Sequence, residues 1–121
     1  PHQVIVLDPT LLQVVDVAAG LRPGGLILIN SPLEPESFSF PGDCLVATVD
    51  ASGIAVRAGL GTPAAPIVNT AILGAFARIS GLLGRDAVLA AIAEYVPGDA
   101  AANQWAARES FETVRCGAAT P

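Results

Sequence analysis

Three short runs of apolar residues constrain this chain more than any other feature: 3–7 (QVIVL), 26–30 (LILIN) and 45–49 (LVATV). A strand half-covered by its fold alternates apolar and polar side chains, whereas a strand covered on both faces stays apolar at successive positions. Cover on both faces is the habit of parallel sheets, whose crossover connections lay chain across the sheet. The sequence therefore reads as α/β, a small parallel sheet flanked by helices.

The stretches between and after these runs carry helix and turn signals. Asp8-Pro9-Thr10 closes the first run, and Leu11, Leu12, Val15 and Ala18/Ala19 then recur at helical spacing up to Gly20, so a helix is predicted there, stopped by 21–25 (LRPGG). Residues 31–43 hold Pro32, Pro35, Pro41 and Gly42, too many breakers for a regular element, and read as a surface loop. Asp50-Ala51-Ser52 opens a short helix with Ile54, Ala55 and Ala58, and a Gly/Pro-rich connection follows at 59–66, where Gly59 and Gly61 mark a tight turn. Asn69-Thr70 is a helix entry, with Ile72, Phe76, Ile79 and Leu83 on one face; Asp86 is expected to cap the next helix, built on Leu89, Ile92, Ala93 and Val96. After Pro97-Gly98 a last helix is predicted from about residue 101 to 114, with Ala107, Phe111 and Val114 inward and Trp105 nearly opposite.

This makes three strands and about five helices in one α/β domain spanning 1–121, the size of a single core. Because the first run begins at residue 3, where a doubly wound domain usually has a further βα unit ahead of it, the chain is expected to be the C-terminal portion of a larger domain.

Composition removes several classes of function. Eleven acids against six arginines give a net charge of −5, which offers no footprint for a phosphate backbone, so nucleic acid is not an expected partner. There is no Lys and only one His, at position 2, which excludes Schiff-base chemistry, a P-loop lysine and a His-centred triad with an interior histidine. Cys44 and Cys116 form no CxxC and read as two reduced thiols. The uncharged stretch 58–77 is as long as a membrane span, but Gly59, Gly61, Pro63, Pro66, Asn69 and Gly74 mark it as a loop and a buried helix. With no basic n-region or signal-type h-region at its start, the chain is expected in the cytoplasm and off the membrane. Its apolar surplus favours association with other chains, so an oligomer is expected.

Several strings together resemble one family. These are Arg22-Pro23-Gly24-Gly25 ahead of an apolar strand ending in Asn30-Ser31, then Val49-Asp50-Ala51-Ser52-Gly53-Ile54-Ala55, then Pro66-Ile67-Val68-Asn69 running into Leu73-Gly74-Ala75, and finally Asn103, Ala106 and Phe111. Over nearly its whole length the chain is similar to the gamma subunit, or gamma domain, of the 2-oxoacid:ferredoxin oxidoreductases, the pyruvate synthase group. Ser52-Gly53 stands where that pattern has Thr-Lys, Ala107 and Ser110 replace an aromatic residue and a glycine, and the family's amino-terminal glycine-rich βα unit has no counterpart in the sequence.

The resemblance implies a Rossmann-like fold and a place in a multisubunit enzyme. That enzyme oxidatively decarboxylates a 2-oxoacid to an acyl-coenzyme A, with thiamine diphosphate, Mg, iron–sulfur clusters and coenzyme A. It implies alpha- and beta-type subunits as partners, ferredoxin indirectly, and a chain inactive alone that contributes assembly and coenzyme A handling while the chemistry sits on the others. The alternative is a stand-alone Rossmann-like nucleotide- or coenzyme-binding module without catalysis.

No residue set is self-sufficient for catalysis, so the candidates are binding residues. Asn30-Ser31 and Asp50 follow predicted strands, at the carboxyl edge where open α/β sheets hold ligands; Asn69 and Thr70 open a helix whose free N–H groups suit an anion. Each has a plain structural reading beside the functional one, as turn, cap or helix entry. Arg22 and Arg57 are the cations nearest that edge, and Trp105 reads either as a lid on the core or as an interface anchor.

Overall fold

The computed structural model describes residues 1–118, and side chains as far as Gly117. The fold is α/β, with a four-stranded sheet in the order β1 (Gln3–Val6), β2 (Gly25–Asn30), β3 (Cys44–Val49), β4 (Arg115–Ala118). β1–β2 and β2–β3 are parallel; β3–β4 is antiparallel, with Thr48 opposite Arg115 and Val46 opposite Gly117. Four α-helices, α1 (Ala51–Ala58), α2 (Asn69–Ser80), α3 (Arg85–Tyr95) and α4 (Ala100–Thr113), lie between β3 and β4 in sequence. The chain forms two compact units, 1–49 with 115–118, and 50–114.

In the first unit the apolar runs become the sheet, with the most continuous run at its centre. All six residues of β2 are buried, whereas in β1 only Val6 is, because β1 is an edge strand. One sheet face gathers Val6, Ile27, Ile29, Cys44 and Val46 into a core, onto which Leu12, Val17, Ala18, Leu21, Phe38 and Phe40 pack. Those six come from the two connections that join the parallel strands. Consecutive right-handed crossovers in a 1-2-3 strand order fall on one side of the sheet, which is where both connections lie.

The connections differ from the sequence expectation. In place of a helix through Ala19 there is a 3-10 helix at Pro9–Gln13, entered by Asp8, whose carboxylate accepts from Thr10 N at 3.0 Å. Val14, Val15 and Val17 crowd the following turn, where β-branched side chains lose rotamer freedom, and Asp16 accepts from Ala18 N at 3.2 Å to make a local turn instead. The 31–43 loop holds a second 3-10 helix, Pro35–Ser37, with Pro35 buried. A β-carbon on Gly117 would stand 2.8 Å from Glu36 Oε1, the mobile end of an exposed side chain, and 3.5 Å from Pro35 Cβ, so this turn lies against β4 in ordinary contact.

In the second unit α2 and α4 pack through small residues. A β-carbon at Gly74 would strike the Ala107 carbonyl oxygen and Ser110 Oγ, so only glycine admits this approach. Ala77, Val88, Ile92 and Ala107 form the core among α2, α3 and α4, flanked by Leu73, Leu89, Val96 and Phe111. Gln104 Nε2 donates to Leu89 O at 2.9 Å, tying α4 to α3, and Arg78 donates to Phe111 O at 3.0 Å with its guanidinium 5.0 Å from the Phe111 ring.

Several local expectations are corrected here. The sheet has a fourth strand, and four α-helices with two 3-10 helices replace the expected five. Val68, not Asn69 or Thr70, is the N-cap of α2, and Gly84, not Asp86, caps α3, leaving Asp86 in its first turn. Leu83 lies beyond the end of α2 and is exposed, and Ala93 is exposed on α3. α4 turns Asn103, Ala106, Ala107 and Ser110 inward, leaving Phe111 and Val114 half-buried.

Candidate functional site

Asn30 and Ser31 belong to the first unit, and Asp50, Asn69 and Thr70 to the second. At the carboxyl end of β2, Asn30 is buried and its Nδ2 donates to Leu7 O at 3.0 Å, fastening the carboxyl end of β1 to its neighbour. Ser31, also buried, donates its N–H to Val49 O at 2.9 Å, and its Oγ accepts from Leu33 N at 3.1 Å. The loop that leaves this edge is held by Arg115, whose Nη2 reaches Pro32 O at 2.8 Å and Leu33 O at 3.3 Å and whose Nη1 meets Glu34 Oε1 at 3.4 Å. Sequence gave no sign of Arg115, because its partners lie more than 80 positions away.

Asp50 caps α1 and accepts from Gly53 N at 3.0 Å. A carboxylate at a helix N-terminus also meets the positive end of the helix dipole. At the far end of α1, Gly59 closes the helix with φ of 73°, as its reading as a turn glycine expects.

Asn69 is exposed and its Oδ1 accepts from Thr70 N at 2.9 Å. Thr70 is buried and donates its hydroxyl to Asn103 Oδ1 at 2.9 Å, while Asn103 donates Nδ2 to Asp99 O at 2.8 Å. Asp99 in turn caps α4, accepting from Ala102 N at 3.0 Å. This relay ties the start of α2 to the start of α4. It borders a cavity of about 270 Å³ lined by Leu60, Ile67, Asn69, Val96, Pro97, Gly98, Asp99 and Asn103. Asn103 and Asp99 escaped a site reading because an asparagine inside a helix pattern and an acid ahead of one look like ordinary surface and cap residues.

Arg22 and Arg57 are exposed, and Trp105 is 36% exposed on α4. Among the described residues no group of three or more His, Cys, Asp or Glu could hold a metal ion. Cys44 is buried on the core face of β3, while Cys116 pairs with Ala47 in β4 and is exposed, so the thiols do not converge. Burial pushes the Cys44 thiol up, helped by the charge of Asp43, and burial likewise raises Cys116. No helix among the described residues is long and apolar enough to cross a membrane.

Residues 1–113 match the family model for pyruvate ferredoxin/flavodoxin oxidoreductase. The chain belongs to this family. It is 41% identical over 115 residues to the pyruvate synthase subunit PorC of Methanothermobacter thermautotrophicus, covering 94% of this chain and 59% of the relative. With the pyruvate/ketoisovalerate oxidoreductases common subunit gamma of Thermococcus kodakarensis it shares 44% identity over 117 residues, 92% of this chain and 60% of the relative. The crystal structure of the pyruvate oxidoreductase subunit PORC from Thermotoga maritima superposes with a TM-score of 0.81 at 29% identity, over 97% of this chain and 65% of that one. The chain thus spans about six-tenths of the length of the family relatives it matches.

Proposed function

We propose that this chain serves as the gamma-type subunit of a thiamine-diphosphate-dependent 2-oxoacid:ferredoxin oxidoreductase in the cytoplasm, working beside alpha- and beta-type subunits that reduce ferredoxin. The observation that carries this reading is the match along residues 1–113 to a single oxidoreductase family, with relatives named as subunits. The role is assembly and handling of the acyl acceptor. Two thiols that do not converge are a poor donor set for an iron–sulfur cluster, which takes four cysteine ligands in its common forms. Clusters are therefore assigned to the partner chains, and the family resemblance places thiamine diphosphate and Mg there as well.

For coenzyme A we propose a role for Asn30 and Ser31 within the first unit, and for Asp50, Asn69 and Thr70 within the second. Asn30, Ser31, Asp50 and Thr70 already hold backbone groups or neighbours in place, which makes them positioning residues. Asn69, exposed at the start of α2, has its Oδ1 held by Thr70 N and offers its Nδ2 to contact. When bound, coenzyme A supplies the thiol that takes the acyl group, and the part of this chain is to hold and orient it.

The experiment is to recover the complex from its own cells through a tag on this chain and assay bound thiamine diphosphate, iron and 2-oxoacid-dependent ferredoxin reduction. Recovery of larger chains with both cofactors is the expected result; recovery of the chain alone favours the stand-alone binding module. In the active complex, Asn69→Ala is expected to raise KM for coenzyme A about tenfold, the weight of one hydrogen bond to a charged ligand, with kcat at saturation little changed. An unchanged KM removes Asn69 from the site.

A further inference from the structure

The 270 Å³ pocket of the second unit has a chemical character of its own. Leu60, Ile67, Val96 and Pro97 supply its apolar walls. Its polar lining is largely committed inward: Asn69 Oδ1 holds Thr70 N, and Asn103 joins Thr70 Oγ1 to Asp99 O. Asp99 uses Oδ1 for Ala102 N, and among the described residues its Oδ2 has no partner. No arginine is among the residues that line the pocket.

An apolar wall beside a half-engaged carboxylate is complementary to an apolar group that carries a cation next to it, and it repels an anion. The volume is at the small end of the roughly 300–1,000 Å³ range of small-molecule sites and has room for one large side chain. A coenzyme A held by Asn69 would therefore keep its phosphates outside this pocket.

We infer that the pocket seats an aliphatic or aromatic side chain of a partner subunit, with a lysine or arginine of the same partner segment meeting Asp99. This rests on the subunit reading above. Anchors of this type, one large side chain filling a pocket, carry much of the energy of subunit contacts, while the exposed charge pair sets register and makes the contact salt-sensitive.

Two arms test it. In the isolated chain, benzamidine (an apolar ring with a cation) and benzoate (the same ring with an anion) are each titrated to about 10 mM, the range expected for fragments of this size. Methyl resonances of Ile67, Val96 and Leu60 are followed. Benzamidine is expected to shift them, benzoate to leave them in place, and Asp99→Asn to weaken benzamidine about fivefold while retaining a side-chain cap for α4. Benzoate binding as well as benzamidine, or neither fragment moving the methyls, overturns the inference.

In the complex recovered through the tagged chain, the backbone amides of 96–103 are expected to exchange more slowly than in the isolated chain. Ile67→Glu, at a half-exposed loop position, is expected to make the complex dissociate at about tenfold lower dilution. Equal exchange in complex and isolated chain overturns the pocket assignment and leaves the subunit reading standing. If no complex with thiamine diphosphate and iron is recovered, the subunit reading falls and this inference falls with it.

Discussion

Thr48 lies between Ile29 and Arg115 in the sheet, fully buried, and its Oγ1 has no hydrogen-bond partner among the described residues. A hydroxyl taken out of water without a partner costs stability that an isosteric methyl does not. Thr48→Val is therefore expected to stabilise the chain by about 1 kcal/mol, read as a higher urea midpoint with unchanged slope. Asp8 shows the opposite case, an exposed carboxylate whose Oδ1 accepts twice from one neighbour. The Thr10 hydroxyl at 2.7 Å, and then its backbone N–H, hold the Asp8 carboxyl below its ordinary 3.8. A carboxyl lowered by folding contributes stability above its unfolded pKa, and that contribution fades as pH falls through the lower folded value. Thr10→Val keeps the backbone bond and removes the hydroxyl, so the Asp8 titration midpoint, followed by NMR, is expected to move up toward 3.8. At this scale the sequence was informative about type and silent about partner: Asp50 is visible as a cap because Gly53 lies three residues on, whereas the Thr70–Asn103 bond spans 33 positions.

Among the elements, β2 and β3 were readable because burial on both faces leaves its mark on every residue of β2 and on all of β3 but Leu45. β4 was not, since RCGA has neither alternation nor an apolar run and owes its strand form to pairing with β3. The first predicted helix failed for a related reason. Its spacing was real, but Leu12 meets the sheet from a 3-10 helix and Val17 and Ala18 from the turn after it, where tertiary contact outweighs the weak helix preference of three valines. Helices α2 and α4 were found within a few residues of their ends, and Ile72 and Ala107 were rightly placed inward, but the rest of the contact face was hidden, because Gly74, Asn103 and Ser110 carry no hydrophobic signal comparable with Phe76 or Leu83. Arg115 sets how firmly the loop after β2 is held. Arg115→Ala is expected to cost up to about 1 kcal/mol, given that the side chains are partly exposed, and to speed amide exchange over 32–38 while the rest of the sheet keeps its protection.

For the whole molecule, the second unit is continuous in sequence, 50–114, whereas the first is assembled from two separated stretches. The second unit contains its own core around Ala77, Val88, Ile92 and Ala107, its own caps at Asp50 and Asp99, and the relay from Asn69 to Asp99. A polypeptide of residues 50–114 alone is expected to keep the helical circular dichroism that α1 to α4 give the full chain, and to lose it in a single thermal transition. A random-coil spectrum would mean that these helices depend on the first unit. At this scale the run of consecutive helix signals after the third strand was legible in the sequence, whereas the return of 115–118 to the sheet was not.

The late position of β4 bears on how the protein is made. When the ribosome has released β1, β2 and β3, the side of β3 that β4 will occupy is still bare, and sixty-five residues of helix and turn, 50–114, must follow before Arg115 is synthesised. A nascent chain thus carries an unpaired strand edge through the whole synthesis of α1 to α4, a form that invites wrong pairing with other chains. β4 is thus a latch that can close only after α1 to α4 have been made.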